Sequence, residues 1–191
     1  MILRLRKLAN DDVLAGAREG VAMLAKLIDG LGPAEDAQLV ILDFHDIRVA
    51  TGSYLRESVL GFRSYCRQRT PASAVVIANA DPVVAEELRN LLNAAGDALV
   101  TCDLPASDVP RNGRVLGSLE EKQRATLDAV LRLGEADARA LHEKFQRTET
   151  IGVTGWNNRL AALAEKGILI EEREGRAKRF RPVLKELQYG R

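Results

Sequence analysis

The sequence predicts an α/β (α+β) protein: an N-terminal mixed sheet with helices packed against it, then a smaller C-terminal unit of three helices and a β-hairpin. Three observations carry this. Short, uninterrupted apolar runs at Leu39–Asp43, Ala74–Ala78 and Ala98–Cys102 alternate with helical patterns, as strands buried on both faces do when helices connect them. A stretch with two prolines, a glycine and polar residues, Pro105 to Arg114, then interrupts the pattern. Beyond it, consecutive helical periodicities end in a strand, a Gly turn and a second strand.

Taken in order, Ile2 to Leu8 alternates apolar and basic residues and predicts a half-exposed strand. Asn10 or Asp11 caps a helix from about Asp12 to Ile28, with Val13, Ala17, Val21, Leu24 and Ile28 along one face and Asp29 to Pro33 ending it. After the strand at Leu39–Asp43, the chain turns through Ala50–Ser53 into a helix bearing Leu55, Val59, Phe62 and Tyr65. The strand at Ala74–Ala78 leads to Pro82, at the first position of a helix with Val84, Leu88 and Leu91 inward. The strand at Ala98–Cys102 closes a first domain, residues 1–104, and residues 105–117 form a linker.

The second domain, residues 118–191, begins with helices at Leu119 to Leu133 and Ala136 to Phe145. A third helix follows from Thr154, with Trp156, Leu160 and Leu163 at i, i+4, i+7, and Gly167 stops it. Strands at Ile168–Arg173 and Lys178–Pro182 flank the turn Glu174–Ala177, and Val183–Tyr189 predicts a last short helix packing on a second subunit.

Composition narrows the function classes. The chain has 191 residues, 46% hydrophobic and 29% charged, ordinary for water-exposed globular domains, and no apolar run approaches a membrane span. No signal-peptide order is present, so a cytoplasmic protein is expected. The net charge of +1 is unevenly spread: residues 1–117 carry 13 Lys and Arg against 15 Asp and Glu, residues 118–191 carry 15 against 12. Within the second part, Arg173, Arg176, Lys178, Arg179 and Arg181 crowd the hairpin, which suits a phosphate-facing surface. They also suit a charged sheet edge that blocks strand pairing, but their density and position favour phosphate contact.

Two isolated cysteines, Cys66 and Cys102, and two histidines, His45 and His142, give no metal or disulfide framework, and no cofactor is expected. No phosphate loop, dinucleotide fingerprint or Ser/His/Asp order appears, so no catalytic constellation is expected. An enzyme using Asp43, Asp46 and Ser53 is the weakest reading.

The helix from Thr154, followed by Leu-Ala-Glu-Lys-Gly-Ile-Leu, charged residues, a Gly turn and Arg-Phe-Arg-Pro, resembles the recognition helix and wing of bacterial winged helix-turn-helix regulators over roughly Leu119 to Leu187. The resemblance implies double-stranded DNA as partner, read by a homodimer. Thr154, Asn157, Asn158 and Arg159 would face base edges, and Arg173, Arg176, Lys178 and Arg179 would hold backbone. The two asparagines also suit a solvated helix surface, and Trp156 suits the core.

Residues 1–104 are similar to STAS-like domains, related to anti-sigma-factor antagonists, through Val40–Phe44, Asp46–Ala50 and Thr51-Gly-Ser-Tyr-Leu-Arg-Glu57. The similarity implies a partner- or ligand-sensing site at Asp43, Thr51 and Ser53, with a kinase or sigma-control protein as partner. Thr51-Gly52 stands where the family carries an Asp-Ser pair whose serine a partner kinase phosphorylates, and Ser53 follows one position on, where it also suits an N-cap. The expected function is a DNA-binding transcriptional regulator with a sensing domain. The alternative is a STAS-like adaptor whose winged helix docks protein.

Overall fold

The computed structural model describes residues 1–31, 39–69, 73–175 and 177–189. It has a mixed α/β fold. A six-stranded sheet runs in the order β1 (Ile2–Arg4), β3 (Leu39–Asp43), β5 (Ala74–Ala78), β6 (Ala98–Asp103), β7 (Arg111–Gly117), β10 (Leu187–Gln188). β1, β3, β5 and β6 are mutually parallel, β7 is antiparallel to β6, and β10 is parallel to β7.

Register assigns each strand residue to a face, because side chains of Cα partners share one. The row Leu3–Leu42–Ile77–Thr101–Arg114 looks one way, and Ile2–Ile41–Val76–Val100–Val115 looks the other. On the first face Val40, Leu42, Val75, Ile77 and Leu99 share a buried cluster with α2 (Ala17–Asp29), α3 (Gly52–Leu55), α4 (Gly61–Arg69) and α5 (Pro82–Ala94), through Leu27, Leu55, Phe62 and Leu88. On the second face Ile41, Val76 and Val100 share a cluster with α6 (Glu121–Leu133), α7 (Ala138–Phe145), α8 (Val153–Glu165) and the hairpin β8 (Leu169–Glu174) and β9 (Ala177–Pro182). Burial on both faces explains why these strands read as continuous apolar runs.

Several elements differ from the sequence expectation. The first strand stops at Arg4, and Leu5–Ala9 forms a short helix, α1, that drops Leu5 into the first-face cluster. Val13–Leu14 is a strand, β2, paired with β4 (Val49–Ala50), so the following helix starts only at Ala17. Its buried stripe is Gly20, Met23 and Leu27, leaving Val13 and Val21 exposed. Gly20 permits the close approach to α3, since a Cβ there would stand 2.7 Å from the Tyr54 carbonyl oxygen. Between α3 and α4 the helix widens into one π turn, Arg56–Leu60. Gly32 and Pro33, expected to end α2, lie outside the described residues.

The expected linker contains β7, hydrogen-bonded along β6; its polar residues Asn112 and Arg114 hide an alternation with Gly113 and Val115. The tail expected as a helix is β10 instead. Val183, Leu184 and Leu187 are buried, and Gly113 lets the tail pass, because a Cβ there would lie 2.8 Å from the Glu186 carbonyl oxygen. At the end of β7, Gly117 has φ +97°, which an L side chain rarely adopts.

A charged pin joins the two covers. The Arg63 guanidinium of α4 is almost wholly buried and donates to Asp97 (2.7 Å), to the Ala98 carbonyl and to the Lys166 carbonyl at the end of α8 (2.6 Å). Lys166 adds its own bonds, its Nζ donating to the Gly96 carbonyl at 2.9 Å and lying 3.4 Å from Asp97 Oδ1. Burial, with Arg67 nearby, lowers the Arg63 pKa to about 10. Among the described residues no helix is long and apolar enough to cross a membrane.

Candidate nucleic-acid interface

Trp156, Leu160 and Leu163 bury one side of α8, and Leu127 and Leu141 belong to the same cluster. Trp156 is 2% exposed and tilts against Phe145 with ring centroids 5.8 Å apart, so it is a core residue that no base can stack upon. The opposite side presents Thr154 and Asn158 to solvent and leaves Asn157 half-buried. Gly152 caps the helix without a side-chain bond, so no cap side chain satisfies the first-turn amides.

Arg159 differs from the other expected base readers. Its side chain is 14% exposed, ion-paired with Glu149 at 3.2 Å and stacked 5.2 Å from the Trp156 ring centroid. It fastens the turn before α8 to the helix instead of projecting from it.

The hairpin cations are paired. Arg173 Nε lies 2.9 Å from Glu171 Oε1, and Lys178 Nζ reaches the same oxygen at 3.0 Å. Arg179 pairs with Glu135 at 3.1 Å and Arg181 with Glu172 at 2.6 Å. Arg176 lies outside the described residues. Burial works to raise the Glu171 pKa, but the bonds from Lys178 and Arg173 outweigh it and hold the carboxyl below its ordinary value. Exposed pairs of this kind contribute about 0–1 kcal/mol each, so a phosphate can replace the carboxylate at little cost.

A groove of about 460 Å³ runs between α7, α8 and the hairpin, lined by Asp137, Arg139, Val153, Asn157 and Lys178. Asp137 caps α7 by accepting from the Ala140 amide at 2.8 Å, which sets Arg139 in the first helical turn, exposed and with no ion pair among the described residues. Arg139 stands outside the motifs that mark this site in the sequence. Its signal is local: a cation in a first turn opposes the helix dipole, at about 0.3–1 kcal/mol, and such a conflict marks a position serving something other than stability.

Of the three residues expected to form a sensing site, Thr51 and Ser53 lie side by side, whereas Asp43 sits on the other face of the sheet. Asp43 is 5% exposed and lies in the row Arg4–Asp43–Ala78–Cys102, on the second face. It accepts from the His45 amide (3.0 Å) and Asn79 Nδ2 (2.9 Å), with Arg4 at 3.5 Å, which makes it a strand-end anchor. Thr51 caps α3 on the first face: its Oγ1 accepts from the Tyr54 amide at 3.4 Å and the Gly16 amide at 3.2 Å, and lies 3.3 Å from Ser53 Oγ. In sequence the strand-to-helix turn reads as one site, but alternation along β3 sends Asp43 away from α3.

His45 is largely exposed beside Asp46, and His142 Nδ1 meets the Ile151 carbonyl at 3.1 Å. Among the described residues, no group of three His, Cys, Asp or Glu side chains is set to hold a metal. Comparison with known protein families, with curated proteins and with solved structures gives no match.

Proposed function

We propose that residues 118–191 are a winged helix-turn-helix that binds duplex DNA, and that residues 1–104 are a STAS-like module that biases this binding, making the protein a transcriptional regulator of the bacterial cytoplasm that works as a homodimer. The groove between α7, α8 and the hairpin carries the reading. Arg139, Asn157 and Lys178 converge there beside the exposed Thr154 and Asn158, the combination of cation and short polar side chain that a phosphate backbone and base edges require. The element order also supports it. A helix, a bridge at Ala136 to Phe180 that extends the hairpin by one strand position, two more helices and the hairpin follow one another.

The test is selection of bound fragments from a random duplex pool at near-physiological salt. An enriched inverted repeat, lost in Asn158→Ala, is expected for a dimeric reader of half-sites. Arg139→Ala with Lys178→Ala should weaken binding to every sequence and lower the slope of log affinity against log salt by about 1 for each phosphate no longer neutralised. Retention that ignores sequence, salt and both variants would end the DNA reading.

The pairing of Arg173, Lys178, Arg179 and Arg181 with glutamates favours one competing reading, a STAS-like adaptor whose winged helix docks a protein such as a kinase or sigma-control factor. Capture of such a partner, with no salt-sensitive DNA retention, would select it.

A further inference from the structure

A cavity of about 280 Å³ opens on the first face of the sheet, under α5 and beside the carboxyl ends of β5 and β6. Open α/β sheets hold their ligands at that end of the strands. Ala80, Ala85 and Thr101 line it, small side chains where larger ones would close the gap between helix and sheet. A water's share of liquid volume is about 30 Å³, so the space fits a ligand of roughly ten heavy atoms.

Two arginines border this space, one from the helix and one from the sheet. Pro82, Ala85 and Arg89 stand at i, i+3, i+7 on α5, a single helical stripe, and all three line the cavity. Arg114 is the Cα partner of Thr101 across β6 and β7, and both line the cavity, so Arg114 stands on the sheet face that α5 covers. Both arginines are exposed, and neither has an ion pair or a side-chain hydrogen bond among the described residues. The neutral polar groups around them are engaged. Asn79 Nδ2 donates to Asp43 Oδ1 at 2.9 Å and to the Leu104 carbonyl at 3.0 Å, while its Oδ1 accepts from the Leu104 amide. Asn112 Nδ2 donates to Asp103 at 2.6 Å, and Thr101 Oγ1 donates to the Arg114 carbonyl at 3.3 Å. The walls are held in place, and the two cations are left to a ligand.

Two guanidiniums against one lining carboxylate, Asp103, leave a positive excess that selects an anion. A phosphomonoester carries a charge of about −1.5 to −2 at neutral pH and three acceptor oxygens, enough for two guanidiniums at once. Asp103 and Thr101 work in the other direction. The second Asp103 oxygen accepts only, and Thr101 Oγ1, its proton already donated, does the same, which suits hydroxyl groups on the body of the ligand.

We infer that this cavity binds a small phosphomonoester bearing hydroxyl groups, its phosphate held by Arg89 and Arg114 and its hydroxyls donating to Asp103 and Thr101. The site is separate from the groove between α7, α8 and the hairpin, and it does not rest on the DNA-binding reading.

The experiment is calorimetric titration of the full chain, at near-physiological salt, with glycerol 3-phosphate, inorganic phosphate and glycerol. Saturable binding of glycerol 3-phosphate is expected, tighter than that of inorganic phosphate, and none of glycerol. Arg89→Gln and Arg114→Gln should each weaken it about tenfold, as expected when one charge-assisted hydrogen bond is removed. Without ligand both variants should melt with the parent, since neither guanidinium has a partner to lose, so lost affinity reports the site and not the fold. Arg18→Gln removes an exposed cation of α2 that does not line the cavity and should leave the affinity unchanged, as should Arg139→Ala with Lys178→Ala. Absence of glycerol 3-phosphate binding, equal affinity for inorganic phosphate, parental affinity in both cavity variants, or an equal loss in Arg18→Gln would each overturn the inference. A loss confined to the Arg139 and Lys178 variant would move the phosphate to the other groove and overturn it too. Glycerol 3-phosphate binding without DNA retention keeps this site and ends only the DNA reading, whereas DNA retention without glycerol 3-phosphate binding does the reverse.

Discussion

The two faces of the sheet are covered in different ways. The first face is large and branched, with Leu42, Ile77 and Leu99 meeting helices that lie between or beside those strands in the chain. On the second face the small residues Ala74, Ala78, Ala98 and Cys102 stand among Ile41, Val76 and Val100, and its cover arrives from residues beyond Leu119. Small side chains allow close approach of a cover made elsewhere in the sequence. The same strands serve both, so the unit that follows a proline-rich stretch packs on the sheet that the preceding residues build. Arg63, Asp97 and Lys166 then fasten the two covers at one end.

Breaking that pin is the most severe test. Arg63→Met removes a cation that is 4% exposed and leaves Asp97 and the Lys166 carbonyl short of a donor. A destabilisation of about 3–5 kcal/mol is expected, as for other broken buried pairs. Urea unfolding should be followed by far-ultraviolet dichroism and by fluorescence of Trp156, the only tryptophan, which reports the second-face cover alone. Both signals should move to lower urea together. A shift in fluorescence alone would mean that the covers unfold independently.

The complementary lesion lies on the other face and far from the reporter. Gly20→Ala forces a Cβ against the Tyr54 carbonyl, and overpacking of this kind costs about 1–3 kcal/mol. Because the sheet is shared, the Trp156 transition should fall with the dichroism signal. An unmoved Trp156 midpoint would show that the two faces of the sheet unfold separately.

Burial on both faces of one sheet also decides what the sequence discloses and what it hides. Strands at Leu39–Asp43, Ala74–Ala78 and from Ala98 are legible because such burial removes alternation, and α8 is legible because Trp156, Leu160 and Leu163 keep helical spacing. The same absence of alternation conceals what lies on each face, so the separation of Asp43 from Thr51 is not readable. β7 and β10 escape notice because each owes its place to a partner strand, and in β7 polar residues stand on a strand whose neighbour supplies the hydrogen bonds. At the candidate interface, exposure of Thr154 and Asn158 follows from the helical wheel, whereas the inward turn of Arg159 depends on Glu149, ten residues away in a loop.

The smallest effect concerns how the pin responds to acid. Burial acts to raise the Asp97 pKa, but the nearby Arg63 charge and the bonds from the Ala98 amide and Arg63 outweigh it, so the folded carboxyl ionises below its ordinary value. A depressed carboxyl pKa stabilises the fold above the unfolded value of about 3.9, and that contribution fades as pH falls through the lower folded value. Stability measured between pH 7 and 5 should therefore be flat in this respect and should decline below about pH 4. Asp97→Asn keeps the shape and some hydrogen bonding but cannot titrate, so it should start less stable and lose less on acidification than the parent. Equal acid sensitivity in the two proteins would show that Arg63 is held chiefly by the carbonyls of Ala98 and Lys166, and that the ionic part of the pin adds little to joining the two faces.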